Sequence, residues 1–248
     1  MGCTFLSMNN GGVRMIGKMV VQGVCAVVYA LEVAVLLWVT QSPYKKDYYV
    51  KVKMLCSTSF VIIGLIFAAV SGHWIYYLSI LPTLLLCALG DFFMGCFQIK
   101  RYTRNMVLGI VSFLLAHICL LVLLYSIIPA FAWWNILFPI IGLVVLCLQK
   151  KLLHMHYGRL WWPVLIYSVF LTLDFAKSIE IMVLRPCISS AWIGLGGLLF
   201  FISDYTLNFC YFYKMKNKKR TNVMNMINLA SYFFGILAFD MSILYFVK

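Results

Sequence analysis

Six of the seven acidic residues of this chain fall inside strongly apolar stretches: Glu32, Asp91, Asp174, Glu180, Asp204 and Asp240, with only Asp47 in a polar connection. A carboxylate at membrane depth costs several kcal/mol to insert and persists where it faces protein or trapped water. Such acids are functional-site candidates. Asp91 lies in the stretch Ile75–Phe97 and Asp204 in the stretch 189–213, each about 9–14 Å from the same end of its helix at ~1.5 Å per residue. Two carboxyls at similar depth can share one cavity and divide acid and base roles, one holding a proton while the other stays ionised. The bland alternative is a structural polar cluster, with either acid bonded to Ser203, Asn208 or Lys177. His117 is the one histidine deep in an apolar segment. Tyr167, Tyr232 and Asn228 reach comparable depth and complete the candidate cluster. Asp174 sits nearer mid-membrane and Glu180 nearer the opposite face.

The elements that must position these residues are set by composition. The 248 residues are 64% hydrophobic and 11% charged, with mean hydropathy +0.97. That excludes a soluble globular domain and points to a multi-pass membrane protein. Eight apolar segments stand out, at about 18–40, 54–71, 75–97, 105–128, 131–148, 161–183, 189–213 and 223–247, each near the ~20 residues a spanning helix needs. Backbone groups in lipid must be satisfied internally, so helices are expected, and the absence of alternating polarity argues against a barrel. The expectation is a single polytopic domain, residues 1–248: an all-α membrane protein made of a bundle of about eight transmembrane helices.

Charge sets the expected orientation. Lys45, Lys46, Lys51 and Lys53 precede or open the second segment. Lys100, Arg101 and Arg104 follow the third, Lys150, Lys151 and Arg159 follow the fifth, and Lys214, Lys216, Lys218, Lys219 and Arg220 follow the seventh. The other side holds only Arg14, Lys18, Arg185 and Lys248. By the positive-inside rule the basic connections are cytoplasmic and both termini are outside or lumenal. The net charge of +13 is therefore read as topology and anionic-lipid contact, not as nucleic-acid binding. The nine cysteines include no CxxC pair and read as packing residues. The first apolar run is read as a retained helix rather than a cleaved signal. Trp74, Trp133, Trp134, Trp161, Trp162 and Trp192 fall at segment ends and fit interfacial belts. Gly90-Asp91, a basic connection and Asn105-Met106 correspond to Ser203-Asp204, a basic connection and Asn222-Val223, which suggests two parallel four-helix repeats.

The run Leu86-Cys87-Ala88-Leu89-Gly90-Asp91, then Phe113-Leu114-Leu115-Ala116-His117, then Gly197-Leu198-Leu199-Phe200-Phe201-Ile202-Ser203-Asp204 resembles the YhhN family. The resemblance includes Lys53 leading the second helix and Tyr167 in the sixth. It implies an eight-helix membrane protein, and the family's characterised animal members are lysoplasmalogenases. The chain departs from the family pattern at Leu120, where a tyrosine is frequent, in Tyr232-Phe233-Phe234-Gly235, where two tyrosines and a glutamine are frequent, and at Asp174, where an apolar residue is usual.

The resemblance implies cleavage of the vinyl ether bond of a lysoplasmalogen to a fatty aldehyde and a glycerophospho-alcohol, with no metal or organic cofactor. Asp91 and Asp204 would share the acid and base roles, with His117, Tyr167, Tyr232 and Asn228 orienting water or the ether oxygen. Lys53 and Arg104 would meet the phosphate at the rim, and the partners would be a lysophospholipid substrate and membrane lipid. Rival readings are a lipid transporter or a cation- or proton-coupled transporter, which would use the buried acids as carriers, and an intramembrane aspartyl protease. The protease lacks support here because Ala88-Leu89-Gly90-Asp91 misses the first glycine of Gly-x-Gly-Asp and no Pro-Ala-Leu follows Asp204. A zinc hydrolase would need several histidines at depth.

Overall fold

The computed structural model describes residues 2–41, 46–214 and 217–246. Lys45, Lys216 and Lys248 lie outside them, as do the side chains of Arg14, Lys46 and Asp47. The described residues form eight α-helices and no strand: α1 (Gly2–Gln41), α2 (Lys46–Ser71), α3 (Trp74–Lys100), α4 (Thr103–Ile127), α5 (Trp134–Leu152), α6 (Trp161–Leu184), α7 (Ile188–Phe212) and α8 (Lys218–Leu244). The eight expected segments are these helices. Most run several residues further into the basic connections, because basic first and last turns stay helical once they leave the apolar layer.

Seven helices are long and apolar enough to cross a membrane; α6 is the exception. Its 24 residues would still reach ~36 Å at ~1.5 Å per residue. It is set apart by Asp174, Lys177 and Glu180, all of which are buried inside the bundle, while Ile166, Val183 and Leu184 face outward. Each charge has a partner. Lys177 Nζ lies 2.9 Å from Glu180 Oε1 and donates to the Ala130 carbonyl at 2.7 Å. Trp134 Nε1 and Asn135 Nδ2 each donate to Glu180 Oε2 at 3.0 Å. An ionic residue at membrane depth is tolerated on these terms.

Packing order repeats along the chain. In the first half α1 packs on α2, α2 on α3 and α3 on α4; in the second, α5 packs on α6, α6 on α7 and α7 on α8. The fourth helix of each half packs on the second helix of the other, α4 on α6 and α8 on α2. A ring α2-α3-α4-α6-α7-α8 results, with α5 outside it on α6 and α1 outside it on α2 and α8. The symmetry breaks at α1, which meets α8 while α5 does not meet α4. Of the windows compared, that of α8 is the most enclosed, at 78% buried against 17% for α1. Glycines let the ring close. A Cβ on Gly235 would stand 3.1 Å from the Phe200 nitrogen and 3.3 Å from the Gly196 carbonyl, so α7 and α8 meet backbone to backbone.

Candidate active site

Asp91 is on α3, nine residues before the helix ends at Lys100, and Asp204 is on α7, eight residues before Phe212. At ~1.5 Å per residue both lie ~12–14 Å in from the end of the bundle that carries the basic connections. Both line one cavity of about 310 Å³. Lys53, Ser203, Asn228 and Tyr232 line it with them, and Arg101, Lys218 and Asn222 join them on its wall. Phe113 forms an apolar part of the wall. Its ring occupies the space a Cβ on Gly90 would need, 2.8 Å away, and meets Tyr232 edge-on at 5.7 Å. The glycine before Asp91 thus admits the ring that steadies the tyrosine holding Asp91.

The two acids are furnished differently. Asp91 is almost fully buried and ion-paired with Lys53 at 2.9 Å. Ser57 Oγ donates to its Oδ2 at 2.7 Å, and the Tyr232 hydroxyl donates to the same oxygen at 2.8 Å. A cation and two hydroxyl donors are a setting for a carboxylate anion. Lys53 is therefore not at the rim, where the sequence reading put it. It stands one turn before Ser57 on α2, and both point at Asp91. Arg104 is exposed and lines neither cavity of the site; Arg101 reaches the larger one instead, from the left-handed position (φ 53°) that ends α3. Asn228 donates to the Ser203 carbonyl at 2.9 Å and to its Oγ at 3.0 Å, tying α8 to α7 beside Asp204.

Asp204 belongs to a second network. The Tyr167 hydroxyl donates to its Oδ2 in a short hydrogen bond. His117, with no exposed surface, places Nε2 3.2 Å from that oxygen and 2.9 Å from the Tyr167 oxygen. Its Nδ1 lies 2.7 Å from Asp174 Oδ2. These contacts constrain the protons. Nδ1 and the Asp174 oxygen need one between them. In the triangle of Nε2, the tyrosine oxygen and the Asp204 oxygen, Tyr167 supplies one proton and so closes one edge. Closing a second edge needs another proton, on Nε2 or on Asp204. This side of the cavity gathers groups that can share protons, and the Asp91 side sets a carboxyl against a cation. His117 takes its two acids on opposite ring nitrogens, so the three do not converge on a point for a metal ion, and among the described residues no such group does.

The two networks correspond under the repeat. Each acid is on the third helix of its half. Each is met by a residue from the second helix of the same half, Lys53 or Tyr167, and by one from the fourth helix of the other half, Tyr232 or His117.

A family model for the YhhN family matches residues 49–243, most of the chain. The chain belongs to the YhhN family. No curated protein and no solved structure matches it. The matched span holds every residue of the two networks and all of α3 to α7.

Asp174 and Ser57 are the members that sequence reasoning left out. Both were within reach of helical spacing. Asp174 follows Tyr167 by seven residues, two turns along the same face, and Ser57 follows Lys53 by four.

Proposed function

We propose that this YhhN protein is a membrane-embedded hydrolase that cleaves the vinyl ether bond of a lysoplasmalogen, releasing a fatty aldehyde and a glycerophospho-alcohol. The observation that carries this reading is one cavity within the bundle lined by two aspartates, one in a proton-bearing network and one paired to a cation. Vinyl ether hydrolysis needs both. The proton held by Asp204 and His117 passes to the vinyl carbon distal to the ether oxygen, and the adjacent carbon and oxygen become an oxocarbenium ion. Asp91 supplies fixed negative charge to that cation and orients water. Water adds to the cationic carbon and its proton returns to the Asp204–His117 network, so no net proton is consumed. The resulting hemiacetal collapses to aldehyde and alcohol.

Tyr167 and Tyr232 orient the two acids, and Arg101 and Lys218 offer positive charge to the phosphate of the substrate. Membership of the YhhN family is compatible with a hydrolase of this kind. The test is purified protein with lysolipids matched in head group and chain length, differing only in a vinyl ether, an alkyl ether or an ester link. Aldehyde from the vinyl ether alone is the expected result. No product from any of the three, together with lipid or ion flux in vesicles that depends on a proton gradient, would replace the hydrolase by a transporter.

A further inference from the structure

Beside Asp204 lies a second, smaller cavity of about 60 Å³, set between α3, α4, α6 and α7. Its walls are Met94, Met106, Ile110, Phe113, Val164 and Phe212. Tyr167, Asn208 and Tyr211 also border it but spend their polar ends elsewhere, Tyr167 on Asp204, Asn208 on the Tyr157 hydroxyl at 3.0 Å, and the Tyr211 hydroxyl accepting from Gln98 Nε2 at 2.6 Å. Asp204, Met94 and Phe113 line both cavities, so the carboxyl stands where a polar chamber meets an apolar one. Ile110, Val164 and Phe212 are half-buried, at the outer edge of the bundle.

We infer that the smaller cavity binds the first methylenes of the substrate's single aliphatic chain. The inference rests on the hydrolase reading above and adds to it a chain site. In a vinyl ether lysolipid the reacting bond is the first of the chain, immediately next to the glycerol oxygen. A site for that bond must put its acid at the boundary between head and tail. Asp204 occupies such a boundary here: the glycerophosphate would lie on the side of Lys53, Arg101 and Asn228, and the chain on the side of Ile110 and Val164. A cavity of this size holds only the first few carbons of a chain, and apolar walls keep it from holding water well. The rest of the chain continues past Ile110 and Val164 into the lipid. Met94 and Met106 suit a linear chain, since a flexible thioether adapts to whichever methylene lies against it.

The experiment uses the full-length protein in lipid nanodiscs and an alkyl ether lysophospholipid, which the proposed chemistry does not cleave, carrying a photoreactive diazirine on the third or fourth chain carbon. Crosslinks are expected on Met106, Ile110 and Phe113 of α4 and on Val164 of α6, and are competed by unlabelled vinyl ether lysolipid. Ile110→Trp and Val164→Trp fill the space. Each should lower the competed crosslink by about tenfold or more, a factor that losing the burial of two methylenes already supplies. Crosslinks of the wild-type protein confined to outward-facing α4 residues such as Val107, Val111 and Val122, and not competed, would overturn the chain site whether or not the two tryptophan variants fold. Competed crosslinks in a protein with no turnover would keep the chain site and remove the hydrolase reading. Turnover without competed crosslinks would do the reverse.

Discussion

At the scale of single residues, the site divides labour by what surrounds each carboxyl, and substitutions should report that division. Asp91→Asn and Asp204→Asn each keep the shape of the side chain but remove the charge or the proton. Each should lower turnover by about 10² or more, since general acid–base steps are worth roughly 10²–10⁴. Asp174 is a positioning residue: it touches His117 Nδ1 and lines neither cavity. Asp174→Asn should lower kcat by about tenfold to 10² with KM unchanged, and Asp174→Glu should recover part of it, because the effect passes through the protonation of His117 and not through substrate contact. A change in KM alone would place Asp174 in substrate binding instead. Lys53 carries a different cost. Lys53→Met leaves Asp91 buried without its cation, and breaking a buried pair costs about 3–5 kcal/mol. The double variant Lys53→Met with Asp91→Asn should regain much of that stability in detergent unfolding while remaining inactive. If the double variant is no more stable than the single one, the pair is not what stabilises the inner end of α2.

At the scale of helices, close approach of α7 and α8 sets the geometry between Ser203, Asp204 and Asn228. Gly235→Val would drive a branched side chain into the backbone of α7, where neither the Phe200 nitrogen nor the Gly196 carbonyl can move freely. The expected result is a loss of about 1–3 kcal/mol in unfolding stability, the usual cost of overpacking, with activity falling as Asn228 is pushed off Ser203. An unchanged unfolding midpoint would mean the two helices separate readily, and that the site tolerates it. The helices themselves were legible in the sequence because lipid imposes length and apolarity on any spanning segment, and all eight were placed to within a few residues at most ends. The depth of Asp91 and Asp204 was legible for the same reason, by counting residues from the basic connections. Which partner each acid takes was not. Spacing along a helix says that Asp174 shares a face with Tyr167, but which neighbour that face meets depends on the packing of α4 on α6, a contact between segments far apart in the chain. Lys53 was misplaced for a related reason: its position in the first turns of α2 suggested a rim, while the inward reach of a long side chain toward Asp91 depends on where α3 stands.

For the whole molecule, orientation decides which side of the membrane the cavity faces. The basic residues Lys53, Arg101 and Lys218 cluster at the cavity end, and Arg185 stands at the other, so the positive-inside rule predicts a cavity on the cytoplasmic side. A native thiol can test this. Of the two exposed free cysteines among the described residues, Cys147 is on α5 within its span, and Cys187 lies in the connection between α6 and α7 at the end opposite the cavity. Burial disfavours ionisation of Cys187, but the Ser190 hydroxyl, the backbone N–H groups of Ser190 and Ser189 and the charge of Arg185 outweigh it and hold the thiol below its ordinary value of 9.0. The Ser190 N–H donates to its sulfur at 3.4 Å, as part of the cap that starts α7. A depressed thiol keeps its thiolate form to lower pH, so the labelling rate of Cys187 should rise through its midpoint at a lower pH than that of an unperturbed thiol. In sealed cells or right-side-out vesicles, a membrane-impermeant maleimide added outside should label a Cys3→Ser variant, which removes the other cysteine expected on that side, and not the Cys3→Ser, Cys187→Ser double variant. A cysteine placed at Lys218 in that double-variant background should be silent until the membrane is opened. The reverse pattern would turn the protein over and present the cavity, with its two aspartates, to the outer or lumenal leaflet.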